Sequence, residues 1–342
     1  MVTHGSPLSQ KRPIIAVTVG DPAGIGPEVV LGALADEEVY ARCMPVVIGH
    51  AGILRRCAES AGQPPPEICA VEHPREARGC ARAINLVCVE TPGIEDIRPG
   101  AISREAGAAA EAYIRKACDL ALSGEIDAIT TAPINKESLR LAGVAEIGHT
   151  EMLASYLNAP DPLTLFITER MRIFFLSRHL SLRQAVDYVT EDRVYLLIKR
   201  VHAAMVNLGS ANPSIGLAAL NPHASDGGQF GDEEARHLIP AARRAREDGI
   251  DCSDPIGADS IFNMALEGRF DCVISLYHDQ GHIAAKTRDF YGTVTATLNL
   301  PVLRTSVDHG TALDIAWQGI ANPVSMKTAI LAAVDLLKGA RL

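Results

Sequence analysis

The chain has few aromatic residues, no excess of positive charge and no long apolar run. Each of these shortages limits the classes of protein to which it can belong. Aromatic residues make up 4% of the sequence, with a single tryptophan, so the apolar content of 47% rests on Ala, Val, Ile and Leu. Aliphatic residues of this kind fill parallel sheets that are covered by helices. The formal net charge of −9 argues against a general nucleic-acid binder, which carries a basic face.

Cysteine spacing and hydropathy exclude further classes of protein. The eight cysteines are scattered and form no C-x-x-C pair, which predicts buried free thiols. Residues 1–11 are polar and lack the apolar centre of a secretory signal. No apolar run approaches the length of a membrane span. The sequence therefore predicts a cytoplasmic protein with neither a membrane segment nor a nucleic-acid partner.

Strand-like and helix-like stretches alternate along the chain. Short runs rich in β-branched residues predict strands at 14–19, 45–48, 84–89, 128–131, 163–168, 172–177, 215–220, 273–276 and 293–298. Helical patterns are found at 26–34, 51–61, 103–122, 182–206, 232–247, 259–266 and 328–337. Such alternation predicts βαβ units and a mainly parallel sheet. The polar pair at 169–170 predicts a hairpin between two neighbouring strands.

A length of 342 residues exceeds the usual size of one domain. No linker separates two parts cleanly, so we expect the chain to cross twice between them. The prediction is an α/β protein of two α/β/α domains with mainly parallel sheets. Residues 1–135 with 305–342 would form one domain, and residues 136–304 the other.

The densest group of polar side chains is at residues 277–286, with the sequence YHDQGHIAAK. The segment follows an apolar run that predicts a buried strand, and open α/β sheets bind ligands at the carboxyl ends of their strands. Imidazole and carboxylate groups suit a divalent metal, whereas lysine suits an anionic substrate or a proton transfer. This segment is therefore the first candidate for an active-site wall.

Three histidines share one context, because His179, His223 and His278 each follow a predicted strand and precede a helical or glycine-rich stretch. If their strands are neighbours, the imidazoles converge on one edge of the sheet. Three nitrogen ligands with an open position are the pattern of a catalytic divalent metal, zinc-like by ligand type. The alternative is three histidines that are hydrogen-bonded at strand ends, and spacing alone leaves both open.

Two glycine-rich segments also have two readings each. Residues 20–28 (GDPAGIGPE) form either a ligand contact or a strand-to-helix turn, and they match neither the Walker A loop nor the G-x-G-x-x-G dinucleotide motif. Residues 221–234 (NPHASDGGQFGDEE) could cradle a phosphate or form a capped loop. Residues 304–323 are more specific, because few structural pressures require their order of Asp, His, Gly and Asn.

Together these segments resemble the 4-hydroxythreonine-4-phosphate dehydrogenase family of vitamin B6 biosynthesis. The matching segments occur in family order, at residues 20–28, 131–136, 148–151, 179–182, 221–234, 258–262, 277–286 and 300–323. The last one is also similar to the cofactor loop of isocitrate and isopropylmalate dehydrogenases. The resemblance therefore implies an isocitrate/isopropylmalate dehydrogenase-like fold and a chemistry of oxidation followed by decarboxylation.

The resemblance further implies the ligands and the residues that hold them. The cofactor would be NAD, bound by loops of a non-Rossmann kind, with contacts at His309, Gly310, Asp314 and Asn322. A divalent metal, zinc first and magnesium, manganese or cobalt as alternatives, would bind His179, His223 and His278. A phosphorylated hydroxy-acid substrate would contact His149, Thr150, Lys286 and Arg304. For the general base we favour Lys286 or Asp279, and the site would be completed by the partner subunit of a homodimer.

Two departures from the family pattern leave the substrate open. Residues 294–301 read VTATLNLP where the vitamin B6 enzymes place a substrate-contacting Asn. His282 followed by Ile283 is more like the D-threonate or D-erythronate 4-phosphate dehydrogenases, and a terephthalate cis-dihydrodiol dehydrogenase is a more distant alternative. Retained Arg304 and His149 favour a phosphorylated substrate. Outside redox chemistry, the alternatives are a phosphotransacylase-like or phosphate-binding protein and a non-catalytic binding protein.

Overall fold

The computed structural model describes residues 12–79 and 83–339. Within these ranges eleven strands form one sheet. The strands are β1 (Ile14–Thr18), β2 (Met44–Gly49), β3 (Glu67–Ala70), β4 (Ala83–Cys88), β5 (Ala128–Thr131), β6 (Leu163–Thr168), β7 (Met171–Phe175), β8 (Ile215–Leu217), β9 (Cys272–Ser275), β10 (Val294–Leu298) and β11 (Leu303–Val307). Their order across the sheet is β3-β4-β2-β1-β5-β11-β10-β6-β7-β9-β8.

Helices connect most of the strands. In chain order they are α1 (Gly26–Leu34), α2 (Glu37–Arg42), α3 (Ala51–Ser60), α4 (Arg104–Leu122), α5 (Lys136–Ala142), α6 (His149–Tyr156), α7 (Leu182–Tyr188), α8 (Glu191–Asn207), α9 (Ile239–Glu247), α10 (Ala258–Leu266), α11 (His278–Arg288) and α12 (Val324–Leu337). Ser103 caps α4 as its sequence predicts, since its Oγ accepts a hydrogen bond from the Ala106 N–H at 3.1 Å.

Strand pairing confirms the predicted α/β class with a mainly parallel sheet. β10 is antiparallel to both of its neighbours and β6 is antiparallel to β7, whereas every other pair is parallel. The predicted hairpin is confirmed too, with Thr168 opposite Met171 at its turn. The chain therefore combines βαβ units with a short antiparallel centre.

Helices cover both faces of the sheet around β6 and β7. Leu165 and Phe174 belong to one buried cluster, together with residues of α8 and α9. Their chain neighbours Phe166 and Ile173 belong to another cluster, together with residues of α10 and α11. Successive side chains of a strand point to opposite faces of the sheet. Because helices cover both faces here, β6 and β7 are apolar on both sides. This part of the chain is a three-layer α/β/α structure.

The last helix, α12, packs into two of the buried clusters. Met326 and Ile330 belong to the largest cluster, which draws on residues 14–157 and 302–334. Ala329 and Leu336 belong to the cluster built mainly from residues 163–298. The core therefore changes between residues 157 and 163 and again between residues 298 and 302. The predicted domain boundaries at 135/136 and 304/305 stay a prediction.

Several elements differ from those predicted from the sequence. β3 and β11 were not predicted, because β3 is a partly exposed edge strand and β11 carries Arg304 and two hydroxyl residues. The helical pattern at 182–206 is two helices, α7 and α8, since Val189 has an extended backbone between them. The pattern at 232–247 contains a π-helical turn, Glu234–Leu238, before α9 begins.

Some sequence predictions fall on residues 1–11 and on Cys80, which lie outside the described residues. The seven cysteines that the structure describes are free thiols, and five of them are buried. Among the described helices, none has both the length and the apolar character that crossing a bilayer requires.

The double role of α12 gives a stability prediction with a matched control. Leu336 is 4% exposed and its neighbour Leu337 is 39% exposed. We expect Leu336→Ala to lower the free energy of unfolding by about 2–4 kcal/mol, because it leaves a cavity in the core. We expect Leu337→Ala to cost less than about 1 kcal/mol. Urea denaturation measures both, and equal losses would contradict the burial of Leu336 in the core.

Candidate active site

A cavity of about 450 Å³ lies on one face of the antiparallel centre of the sheet. Its floor is made by strand-paired residues, since Thr295 pairs with both Phe166 and Ser306, and Arg304 lies two residues before Ser306 on β11. The sequence placed the site at the carboxyl ends of strands. The structure instead extends it across β6, β10 and β11, because β10 reverses the direction of the sheet there.

Helix α11 forms one wall of the cavity. His278, His282 and Lys286 all line it, and they are four residues apart, so they share one face of the helix. The rings of His278 and His282 stack, with centroids 3.6 Å apart. His282 also contacts Phe166 and Phe175 edgewise or at a tilt, at centroid distances of 4.2 and 4.7 Å. This packing fixes the orientation of the helix over the sheet.

Lys286 is paired with Asp308, for which the sequence predicted no role. Its Nζ lies 2.6 Å from Oδ2 of Asp308, which follows β11 directly. Both side chains are partly buried and line the cavity. Asp279, the other candidate base, has a side chain that is 71% exposed and is not part of the cavity wall. The geometry therefore favours Lys286 over Asp279 as a group that reaches a substrate.

Two of the three predicted metal ligands lie in the cavity wall. The ring centroids of His179 and His278 are 6.4 Å apart. Asp279 Oδ1 lies 2.6 Å from Nδ1 of His278, which leaves Nε2 of that ring available. A carboxylate behind a histidine is the usual support of a metal-binding imidazole. Burial and the nearby Arg178 and Lys136 charges lower the pKa of His179, which favours the neutral ring that binds metals.

The third predicted ligand, His223, is not brought to the cavity wall. Its strand, β8, does pair with β9, and β9 pairs with β7, so the three histidines follow neighbouring parallel strands as expected. However, residues 223–226 all have positive φ, and the His223 ring lies 6.3 Å from that of Phe230. Consecutive left-handed residues cost about 1–2 kcal/mol each, and such strain clusters at functional sites. The three-histidine metal site stays a prediction.

The loop at residues 221–234 is organised by its own carboxylate. Buried Glu234 accepts hydrogen bonds from the N–H groups of Leu220 and Asn221 at 2.9 and 2.8 Å, and from the Ser225 hydroxyl. Although burial acts to raise it, these hydrogen bonds lower the pKa of Glu234. Because the carboxylate already uses these donors, the structure favours the capped-loop reading over a phosphate cradle.

The floor of the cavity carries a buried positive charge. Arg304 is 5% exposed, and its guanidinium donates to Thr131 Oγ1 at 2.7 and 3.1 Å and to Thr297 Oγ1 at 3.1 Å. Within residues 12–79 and 83–339 it forms no ion pair with a carboxylate. Burial lowers the pKa of Arg304 to about 9, and the nearby charge of Glu151 opposes this shift. A buried charge with no carboxylate at ion-pair distance is costly, which points to an anionic ligand.

Other polar groups around Arg304 also face the cavity. Burial and the Arg304 charge lower the pKa of His149, and its Nε2 is buried with no hydrogen-bond partner in the structure. Thr150 lines the cavity beside it, at the start of α6. Two further cations lie in the wall, Lys136 and Arg178, and neither was predicted as a site residue from the sequence. Both follow strand ends, which is the signal that could have identified them.

A second, smaller cavity of about 260 Å³ adjoins the first, and Asp308 lines both. Its walls are largely apolar, and they include three of the four residues expected to bind NAD, His309, Gly310 and Asn322. Asp314 is not among the lining residues. An apolar cleft with a few converging polar groups is typical of a small-molecule site. A buried His309 Nε2 that has no partner in the described residues adds an available hydrogen-bonding group to this region.

The glycine-rich turn at residues 20–28 supports the loop around this smaller cavity. Ile25 N donates to Thr311 O at 2.9 Å, Trp317 Nε1 donates to Pro22 O at 3.1 Å, and Ala321 N donates to Glu28 Oε1 at 2.7 Å. A Cβ at Gly24 would lie 2.8 Å from the Thr311 carbonyl oxygen, so glycine is required there. The structure therefore favours the reading of a strand-to-helix turn.

The chain is similar to solved dehydrogenases over nearly its full length. A 4-hydroxythreonine-4-phosphate dehydrogenase from Klebsiella pneumoniae is 41% identical with a TM-score of 0.88, covering 95% of this chain and 99% of the other. A terephthalate 1,2-cis-dihydrodiol dehydrogenase from Burkholderia xenovorans LB400 is 29% identical with a TM-score of 0.63, covering 96% and 98%. A protein from Symbiobacterium thermophilum with the provisional name D-threonate 4-phosphate dehydrogenase is 47% identical over 319 residues, 93% of this chain and 95% of that protein.

The α/β fold and the two adjoining cavities, together with these relatives, define an oxidoreductase of the dehydrogenase class. A sequence model of the pyridoxal phosphate biosynthetic protein PdxA matches residues 41–333. The chain belongs to the PdxA family, which confirms the family resemblance identified from the sequence.

The unpaired charge of Arg304 gives a prediction about anion binding. We expect inorganic phosphate to raise the melting temperature of the wild-type protein, with a stabilisation of about 1.4 kcal/mol at ten times its Kd. Arg304→Met should lose this response and should be at least as stable as wild type without phosphate, because it removes a buried charge. Thermal melts over a phosphate series at constant ionic strength measure both effects.

Arg288→Met is the matched control, because Arg288 is an exposed arginine of α11 paired with Glu169. This variant should keep the full response to phosphate. A phosphate response in Arg304→Met equal to that of wild type would be evidence against the anion site.

Proposed function

We propose that the chain is an NAD-dependent and divalent-metal-dependent dehydrogenase that oxidises and decarboxylates a 4-phosphorylated 3-hydroxy acid. The observation that carries the proposal is the buried Arg304 guanidinium, which has no carboxylate partner in the described structure. A phosphate group supplies the missing negative charge and accepts hydrogen bonds from the planar guanidinium. The dehydrogenase family and the adjoining apolar cavity support the redox part of the proposal.

The substrate that we favour is D-threonate 4-phosphate. Four cations line the cavity, Lys136, Arg178, Lys286 and Arg304, against two carboxylates, Glu151 and Asp308. D-Threonate 4-phosphate has a neutral hydroxyl at C2, whereas 4-hydroxythreonine 4-phosphate has an ammonium there. A cation-rich cavity favours the substrate with the more negative net charge. Relatives at 46–47% identity carry the provisional D-threonate name, which supports the same choice.

The proposed metal and cofactor would be held by side chains already described. His179 and His278 suit a divalent ion, zinc first by ligand type, with His223 as a third ligand by family resemblance. His309, Gly310 and Asn322 would contact NAD. When bound, the metal supplies a Lewis acid that polarises the substrate oxygen, and NAD supplies the hydride acceptor.

The chain's own residues bind the substrate and move a proton. Arg304 and His149 hold the anionic end, and Lys286 takes the proton of the 3-hydroxyl as the hydride leaves C3. Lys286 first releases its own proton to solvent, and the carboxylate of Asp308, 2.6 Å from Lys286 Nζ, holds the amine in place beside the substrate. The resulting 3-oxo acid breaks its C1–C2 bond, carbon dioxide leaves, and C2 gains a proton. From D-threonate 4-phosphate this sequence yields dihydroxyacetone phosphate.

The partner and the compartment are also part of the proposal. Exposed apolar side chains occur at or next to lining residues of the cavity: Ile147 lines it, and Leu180 and Ile283 follow the lining residues His179 and His282 in the chain. Exposed apolar side chains are typical of protein interfaces, so they support the homodimer with shared active sites that the family resemblance implies. The proposed compartment is the cytoplasm, where buried free thiols stay reduced.

The substrate assignment predicts a ranking of activities. We expect NADH to form with both D-threonate 4-phosphate and 4-hydroxythreonine 4-phosphate, with kcat/KM at least about tenfold higher for the first, since roughly 1.4 kcal/mol of charge discrimination suffices. Absorbance of NADH measures the rates, and D-erythronate 4-phosphate and a cis-dihydrodiol complete the series. Phosphate binding without NADH formation from any of them would favour the non-redox, phosphate-binding alternative.

The two base candidates predict different kinetic defects. Lys286→Met should lower kcat by about 10²–10⁴-fold at saturating metal, because it removes the proton acceptor. Asp279→Asn should weaken metal binding by about 10–100-fold and leave kcat at saturating metal nearly unchanged, because it only orients His278. Kinetics at several metal concentrations separate the two effects. A large loss of kcat in Asp279→Asn at saturating metal would indicate that Asp279, and not Lys286, is the base.

A further inference from the structure

We infer that the chain has a second divalent-metal site, formed by His50, Cys88 and Glu90 and separate from the active-site cavity. One donor atom from each residue, an imidazole nitrogen, a thiol sulfur and a carboxylate oxygen, lies within 4.8 Å of the other two. In the part of the chain that the structure describes, no other three His, Cys, Asp or Glu side chains meet in this way. None of the three lines either cavity of the active-site region.

The sheet itself brings these residues together. β2 and β4 are parallel neighbours, and their register places Gly49 opposite Cys88. His50 follows Gly49 at the end of β2, and Glu90 follows Cys88 by two residues at the end of β4. Because the carboxyl ends of parallel strands share one edge of the sheet, the three side chains converge there without help from a distant segment.

The distances are close to those that a metal ion requires. His50 Nε2 lies 3.2 Å from Glu90 Oε2, and Cys88 Sγ lies 3.5 Å from Glu90 Oε1. Ligands of a tetrahedral zinc ion, at bond lengths of about 2.0–2.3 Å, are roughly 3.3–3.8 Å from one another. Small side-chain rotations are therefore enough to close the site. Glu95 Oε1, 3.8 Å from His50 Nε2, is available as a fourth ligand.

The burial of His50 holds its ring at the site. The residue is 6% exposed and its Nε2 faces the carboxylates of Glu90 and Glu95. Gly52 leaves room for the ring, because a Cβ at this position would lie 3.0 Å from the imidazole. Cys88 and both glutamates are exposed, so an ion can enter from solvent.

The donor set selects a borderline-soft ion. Thiolate with imidazole and carboxylate suits Zn²⁺ or Co²⁺, whereas Mg²⁺ and Ca²⁺ prefer oxygen ligands alone. The bound ion would connect the start of α3 to the segment that follows β4. The sulfur ligand also distinguishes this site from the proposed catalytic site, whose predicted ligands are all histidines.

The test uses cobalt as the probe, because a thiolate bound to Co²⁺ gives a near-ultraviolet charge-transfer band that imidazole and carboxylate ligands do not give. Metal-free wild-type protein is titrated with Co²⁺. We expect the band to reach saturation by two equivalents per chain, because the histidine site also takes Co²⁺, to reach saturation at one equivalent in His278→Ala and to disappear in Cys88→Ser. His50→Ala should weaken Zn²⁺ binding at this site at least tenfold in competition with a chromophoric chelator.

Alkylation of the wild-type protein gives a measurement that does not depend on any variant. Saturating Zn²⁺ should protect Cys88 from iodoacetamide, as mapped by mass spectrometry, and should leave the labelling of partly buried Cys69 unchanged. Circular dichroism melts check that each variant is folded. A thiolate band that survives in Cys88→Ser, or full alkylation of Cys88 in saturating Zn²⁺, would overturn the proposal.

Discussion

The active site depends on a positive charge buried in the middle of the sheet. Arg304 lies on β11, between β5 and β10, and hydroxyl groups from both neighbouring strands receive its hydrogen bonds. Hydroxyl dipoles recover only part of the cost of taking a charge out of water, and an anion recovers much more. Thr131 and Thr297 accordingly stand where aliphatic residues would pack as well, and both accept hydrogen bonds from the guanidinium.

Local patterns were sufficient to predict most of the fold. Strands such as β5 and β6 were predicted with their full bounds, because each is a short apolar run between turn residues. β11 was not predicted because Arg304, Thr305 and Ser306 look like a polar loop. The antiparallel direction of β10 could not be predicted from the sequence either. Strand direction depends on which distant segments pair, and no local pattern encodes that.

The candidate site was predictable where its residues share one element. His278 and Lys286 were predicted together because a single helix carries both. Their spacing of eight residues indicates that they lie on the same face of that helix. His223 is different, because its position depends on the backbone conformation of residues 223–226, which propensity does not encode for residues other than glycine. Asp308 was missed for the reason that β11 was missed: without that strand there was no strand end to place it on.

The sheet order also constrains when the protein can fold during its synthesis. β5 is flanked by β1 and β11, so one neighbour of this strand is translated about 170 residues after it. Until residues 303–337 leave the ribosome, the edge of β5 has no partner and the largest core cluster lacks α12. An unpaired, apolar strand edge invites pairing with other chains. The amino-terminal half therefore exposes this strand edge during synthesis until β11 is made.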